Sequence, residues 1–217
     1  LMMARSAGFT PDLLGFLDGL AARSHNAIYG ARPLRVPTFI RMILTQFPRT
    51  LRHEWKFFLA SFLLFSLPCA LGLIGALTSA DFAAEVVPAA QLEQMAHNYS
   101  EGFDAGRSTG QDAGMAGFYV YNNVGIAFRC FATGILFGTG SIFFLVYNGL
   151  MIGAVTGYVM SVGYGHNILT FMCGHGPFEL TAIIISGQAG LMMGYSLVDT
   201  KGRTRLGSLR AAAPSLG

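Results

Sequence analysis

Residues 118–198 are apolar almost throughout, and only Arg129 and Glu179 carry a formal charge there. An element of a soluble protein keeps one polar face toward water, and this stretch shows no such alternation. Apolar runs of this length predict helices that cross a membrane. The few polar side chains within them are costly in hydrocarbon, so we expect them to face protein or water.

The same pattern predicts an all-α polytopic membrane protein whose four spanning helices lie near residues 55–77, 118–138, 141–162 and 177–198. A tight turn at 138–140 is expected between the second and third spans. Residues 161–177 contain several glycines and a proline and predict an outward-facing loop before the fourth. The polar excursion at 78–117 predicts a helix over 88–99 and a loop over 106–117.

Shorter segments flank the predicted bundle at 55–198. Residues 10–28 predict an amphipathic helix that begins at Thr10, and residues 37–47 predict an interfacial elbow. Residues 1–54 together form a predicted cytoplasmic region, and 199–217 a basic cytoplasmic tail. The opening LMMARSAG is expected to be an internal cut rather than a native start.

Composition and charge give the predicted orientation. The chain is 53% hydrophobic and only 12% charged, and its mean hydropathy is +0.50. Eight Lys or Arg residues lie in 1–56 and four in the final tail, against one in the 78–117 excursion. Cytoplasmic loops are enriched in Lys and Arg, so both basic ends are predicted to be cytoplasmic and the acidic excursion to lie outside.

Polar residues within the predicted spans are candidates for an intramembrane cluster. Its members are expected to be Asn122, Asn123, Arg129, Asn148, His175 and Glu179. His175 and Glu179 are four residues apart and share a helix face, and either His175 or Arg129 is a candidate partner of Glu179. Two readings stay open: a functional site, or polar groups that bond to one another and hold the bundle together. A third possibility for Arg129 is that its side chain extends toward the membrane–water interface.

Small residues at four-residue spacing predict close helix–helix contacts. The predicted packing positions are Gly134, Gly138, Gly149, Gly153, Gly157, Ser186, Gly190 and Gly194. Ile184 is expected to face lipid instead.

Motifs of enzymes are scarce. HGPFE is not a zinc-protease motif, and a metal site on His175 and Glu179 would need a third ligand such as His166. Nucleotide-binding and nucleophile-elbow motifs are missing from the sequence, so we expect no catalytic residue, no cofactor, no metal and no nucleic-acid partner. Cys69, Cys130 and Cys173 lack CxxC spacing and are expected to be buried, inert thiols.

Two sequence blocks resemble the stage II sporulation protein M family of bacterial membrane proteins. They are YNNVGIAFRCFATGILFGTGSIFFLVYNGLMIGA and HGPFELTAIIISGQAGLMMGYSL. The paired asparagines, the Asn148-Gly149 step and the His175 to Glu179 spacing match the family pattern, as do His25 and Tyr29 upstream. Gly174 departs from it, since the family often has proline there. Family members usually carry another hydrophobic segment beyond the basic tail.

The resemblance implies a protein of the bacterial cytoplasmic membrane that acts with cell-wall hydrolases or with a MoxR-type ATPase. Three functions stay open. The first is a non-enzymatic scaffold for cell-envelope remodelling. The second is a permease-like transport or lipid-handling subunit that uses Glu179, and the third, less favoured, is an intramembrane metal-dependent hydrolase. Membrane lipid and a second copy of the chain are further expected partners.

Overall fold

The computed structural model describes residues 12, 13, 16, 19, 20, 40–100 and 109–216; the side chains of 109–116, 118–120, 175, 214 and 216 lie outside the description. The chain divides into two compact units, Leu1–Pro48 and Arg49–Gly217. In the first unit, the helix predicted over 10–28 lies outside the described residues apart from five helical positions. Residues 40 and 41 are helical and Met42–Gln46 form a π-helix, so the described part of the predicted elbow is helical.

The described residues are almost all helical and include no strand, which confirms the all-α prediction. Its α-helices are α1 Phe47–His53, α2 Trp55–Thr78, α3 Ala80–Val86, α4 Ala89–Ser100, α5 Thr109–Ala132, α6 Thr139–Val159, α7 Gly165–Val198 and α8 Arg205–Leu216. Among the described residues, three helical stretches are long and apolar enough to cross a membrane: Trp55–Thr78, Thr139–Gly174 and Gly176–Val198. The count of four spans stays a prediction.

The long helices alternate in direction. Phe65, Cys69 and Leu73 of α2 contact Gly149, Gly153 and Gly157 of α6 in that order, so α2 and α6 run parallel. Helices α5 and α7 also run parallel, because Asn123 pairs with Glu179 and the Cys130 carbonyl oxygen lies at Gly190. Helices α6 and α7 are antiparallel, since Ser141 lies at Gly190 whereas Thr156 lies at Met172. Each of the four long helices α2, α5, α6 and α7 is therefore antiparallel to the one before it in the chain.

The connection between α6 and α7 is shorter than predicted. The outward loop expected over 161–177 is wrong, because α7 is already helical from Gly165 and continues through Pro177. The reversal takes place within a π-helical segment, Met160–Tyr164, where Gly163 adopts a left-handed conformation (φ 97°). Glycine reaches that region without the steric penalty of a Cβ, so a single residue turns the chain.

The excursion between α2 and α5 also has more helix than predicted. The helix expected over 88–99 is present as α4, but the loop expected over 106–117 is wrong from residue 109, where α5 begins. Ser79 caps α3 by accepting a hydrogen bond from the Phe82 amide (3.3 Å). This cap thus satisfies one backbone donor at the start of α3.

Helices α3 and α4 are packed against one end of the bundle. Ala83, Val87 and Leu92 are buried in one cluster with Ala76 and Ala154. Tyr99 is buried with Val159 and Ile168, and its carbonyl oxygen accepts a hydrogen bond from Asn167 Nδ2 at 2.7 Å. The early turns of α7, expected to be loop, therefore form part of the seat for α4. We call α3 and α4 together the cap.

The cysteines are free thiols in three different environments. Cys130 is buried and Cys69 is half-buried, but Cys173 is exposed, so the expectation of burial is wrong for Cys173. It lies one turn before Pro177 and shares an exposed face of α7 with that residue.

Candidate functional site

Glu179 of α7 pairs with Asn123 of α5. The Asn123 Nδ2 donates to Glu179 Oε2 at 2.6 Å, and both side chains are partly buried. The pair follows from the parallel packing of the two helices, because Asn123 and Glu179 share the register of Gly134 with Gly190. An amide donor beside a carboxylate stabilises it by a charge-assisted hydrogen bond.

The pair lies well inside the helical bundle along its axis. Gly194, fifteen residues after Glu179, contacts Gly138 at the turn between α5 and α6. At 1.5 Å per residue, Glu179 lies roughly 22 Å from that turn. A bilayer core is about 30 Å thick, so a core that begins near this turn would include the Glu179 carboxylate.

Three other predicted cluster members, Asn122, Arg129 and Asn148, differ in their exposure and in their partners. Asn122 and Arg129 are exposed on α5. Asn148 is buried, and its Nδ2 donates to the Phe144 carbonyl oxygen of its own helix at 2.6 Å. The side chain of His175 lies outside the described residues. Within the described chain, the structure therefore brings together Asn123 and Glu179.

The α2–α6 interface contains the glycines predicted from their spacing. A Cβ on Gly149, Gly153 or Gly157 would collide with the carbonyl oxygen of Phe65, Cys69 or Leu73, respectively. From the facing side, a Cβ on Gly72 would lie 2.5 Å from the Leu150 carbonyl oxygen. The two backbones are thus in direct contact, as small residues permit in membrane helices.

Helix α7 packs equally closely against the end of α5 and the start of α6. A Cβ on Gly190 would collide with Ser141 Oγ and the Cys130 carbonyl oxygen, and one on Gly194 would collide with the Gly138 backbone. Ser186 is half-buried on the same helix. Ile184 is buried (7% exposed) and belongs to the core of the bundle, so the expectation that it faces lipid is wrong.

Several buried polar residues were not singled out from the sequence, among them Ser61, Ser141 and Gln188. Ser61 Oγ donates to the Ile184 carbonyl oxygen and Ser141 Oγ to the Cys130 carbonyl oxygen, both at 2.6 Å, and both serines are fully buried. Gln188 Nε2 donates to the Glu54 carbonyl oxygen at 3.3 Å, whereas Gln188 Oε1 has no hydrogen-bond partner within the described residues. Serine is also a common small packing residue in membrane helices, so its presence in a predicted span does not indicate these bonds.

The proposed third metal ligand lies far from Glu179. His166 is exposed and thirteen residues before Glu179 in the same helix, which is roughly 20 Å along its axis. One metal ion cannot bind both side chains at coordination distances near 2 Å. The described residues also contain no group of three or more His, Cys, Asp or Glu side chains placed to hold a metal.

Membrane-length apolar helices joined backbone to backbone, with a polar pair inside, define an all-α integral membrane protein. The family model described as stage II sporulation protein M matches residues 58–217. The chain therefore belongs to the stage II sporulation protein M family. Comparison with curated proteins and with solved structures found no match in either set.

Proposed function

We propose that this protein is a non-enzymatic scaffold of the bacterial cytoplasmic membrane that recruits partners for cell-envelope remodelling. The observation that carries the proposal is that buried polar side chains of the bundle bond to the backbones of neighbouring helices. Ser61 and Ser141 both donate from full burial to carbonyl oxygens of neighbouring helices. Such bonds hold helices together, and they engage both hydroxyls inside the bundle.

The cap supplies a rigid surface for a partner. Its apolar side is seated on the bundle through Val87, Leu92 and Tyr99, while Asp81, Glu85 and Glu93 are exposed. A helix that is seated before binding loses little conformational entropy when a partner docks. By family resemblance, the expected partner of the cap is a cell-wall hydrolase, whereas a MoxR-type ATPase would act on the cytoplasmic side, where ATP is found.

The orientation proposed with this function puts the cap outside and the basic ends in the cytoplasm. It rests on the distribution of Lys and Arg together with the alternating helix directions. Labelling of Gln94→Cys on the exposed face of α4 in intact cells tests it. The background must lack the native cysteines, because Cys173 is exposed. Reaction with a membrane-impermeant maleimide is expected, and reaction only after permeabilisation contradicts the orientation.

Site-specific photo-crosslinking tests recruitment by the cap. A photoreactive amino acid at Gln91 or Gln94, both exposed on α4, is expected to give one discrete adduct in the native bacterium. The matched control is Leu71, exposed on the apolar side of α2, where only lipid adducts are expected. The same adduct pattern from α4 and Leu71, or no protein adduct from α4, contradicts recruitment by the cap.

A transport or lipid-handling role is the second candidate, and the exposure at the polar pair favours it. Glu179 is only partly buried, and Asn122 is exposed beside Asn123. Polar groups open to the surroundings at membrane depth are typical of substrate and ion pathways. This role requires the charge of Glu179, whereas the scaffold requires only its hydrogen bond.

A further inference from the structure

Basic side chains are concentrated at one end of the Arg49–Gly217 unit. This end comprises α1 from Arg49 onward, the start of α2, the turn between α5 and α6, and α8 with the turn before it. Seven bases are exposed there: Arg49, Arg52, Lys56, Lys201, Arg203, Arg205 and Arg210. We call this region the basic end.

The two acidic side chains described at the basic end are already engaged. Glu54 Oε1 accepts from His53 Nδ1 at 2.9 Å, and Asp199 accepts from the Tyr195 hydroxyl at 3.2 Å and from the Lys201 amide at 3.3 Å. The seven exposed bases therefore outnumber the carboxylates near them. Their summed positive potential attracts anions from solution or from a membrane surface.

The fold holds the bases of α8 in place. Lys201 (φ 48°) and Gly202 (φ 76°) adopt left-handed conformations that reverse the chain after α7. Thr204 Oγ1 then accepts from the Gly207 amide at 3.1 Å, which caps the start of α8. The Arg205 guanidinium carbon lies 5.3 Å from the centre of the Phe137 ring, so α8 is fixed to the α5–α6 turn.

Exposed apolar side chains lie among these bases. Trp55 lies between Arg52 and Lys56, Leu206 follows Arg205, and Leu136 and Phe137 occupy the turn that Arg205 contacts; all four are exposed. Trp is enriched where the headgroups meet the hydrocarbon core, and basic residues beside apolar ones are typical of segments that lie in that interface. A soluble acidic protein would not account for this mixture, since it offers no acyl chains.

We propose that the basic end binds the phosphate groups of anionic phospholipids in the adjoining leaflet. Arginine donates in a planar fork that matches phosphate oxygens, and Lys201 adds a point charge. The acyl chains of the same lipids would cover Leu136, Phe137 and Leu206. The inference does not depend on the scaffold function.

Thermal unfolding of the full chain in neutral detergent tests the proposal. Phosphatidylglycerol is compared with phosphatidylcholine of the same acyl chains, and inorganic phosphate serves as a third additive. A ligand that binds the folded state raises the unfolding midpoint. Phosphatidylglycerol is expected to raise it at lower concentration than phosphatidylcholine, with a preference that falls as salt increases. Inorganic phosphate is expected to have no effect.

The triple variant Lys201→Gln/Arg203→Gln/Arg210→Gln is expected to lose the preference, by roughly fivefold in the required lipid concentration for each base removed. Circular dichroism should show unchanged helix content, since these three side chains are exposed. The matched control, Glu85→Gln/Glu93→Gln in the cap, should keep the preference. Equal stabilisation by both lipids, an unaltered preference in the triple variant, or the same effect from inorganic phosphate would overturn the proposal.

Discussion

Gly153 of α6 lies directly against the carbonyl oxygen of Cys69 in α2, with no room for a side chain between the two backbones. Gly149 and Gly157 repeat this contact one turn to either side. Van der Waals contact between backbones is a main source of helix association in lipid. The hydrophobic effect does not drive that association, because lipid tails are as apolar as the helix surface. The stability of the bundle should therefore respond strongly to single added methyl groups.

Gly153→Ala is expected to destabilise the fold by about 1–3 kcal/mol, because its Cβ would force α2 and α6 apart. The matched control is Gly125→Ala in α5, where a Cβ would meet no atom within 4 Å. That change should be neutral or stabilising, by up to about 1 kcal/mol from helix propensity. Unfolding in a mixed-micelle denaturant series measures both, and equal effects would contradict the packing account.

Gly138→Ala is expected to destabilise through backbone strain rather than through a clash. Gly138 has φ 83° at the start of α6, and the nearest atom to an added Cβ lies 3.8 Å away. Left-handed backbone costs an ordinary L-residue about 1–2 kcal/mol. Asparagine tolerates this conformation better, so Gly138→Asn should recover part of the lost stability. An alanine variant as stable as the wild type would show that the turn adopts another conformation.

Asn167→Ala is expected to loosen the cap without unfolding the bundle. The change removes the hydrogen bond from Asn167 Nδ2 to the Tyr99 carbonyl oxygen, which ties the end of α4 to α7. Hydrogen exchange of residues 89–100 should become faster, while exchange in α6 stays unchanged. Gln94→Ala, at another exposed position of α4, is the comparison variant. Protection of α4 identical to the wild type would mean that its apolar contacts alone hold the cap.

Gln188→Met is expected to leave stability unchanged or to raise it by up to about 1 kcal/mol. Gln188 is 4% exposed, and its Oε1 has no hydrogen-bond partner among the described residues. Removing a buried acceptor without a partner relieves a desolvation cost that exceeds a weak bond of 3.3 Å to Glu54. A loss above about 1 kcal/mol in the same denaturant assay would contradict this balance.

Much of the fold was predictable because the length of each apolar run can be read from the sequence without any knowledge of tertiary contacts. The span at 55–77 and the cap helix at 88–99 agree with α2 and α4 within a residue or two. Local breaker signals were misleading in α7, where Pro177 lies inside a helix and its carbonyl oxygen accepts from Thr181 Oγ1 at 2.6 Å. Proline and glycine are tolerated in membrane helices because neighbouring groups satisfy the backbone.

The site was less predictable than the fold. Its residue types indicated that Glu179 needs a partner, but several amides and two bases were available. The choice of Asn123 depends on the register of α5 against α7, which the Gly134–Gly190 contact sets. The bond from Ser61 to Ile184 joins residues 123 positions apart, and no local pattern reports such a contact.

The central claim is that Glu179 acts through its hydrogen bond with Asn123 and not through its charge. Glu179→Gln, which keeps an acceptor oxygen, is compared with Glu179→Ala in the bacterium that encodes the protein, with membrane-inserted folded yield and envelope phenotype measured together. The scaffold account predicts near-normal yield and phenotype for Gln, and a loss of about 1–3 kcal/mol of stability with reduced yield for Ala. A Gln variant that folds at normal yield but fails as completely as a deletion would contradict the account and favour the transport role.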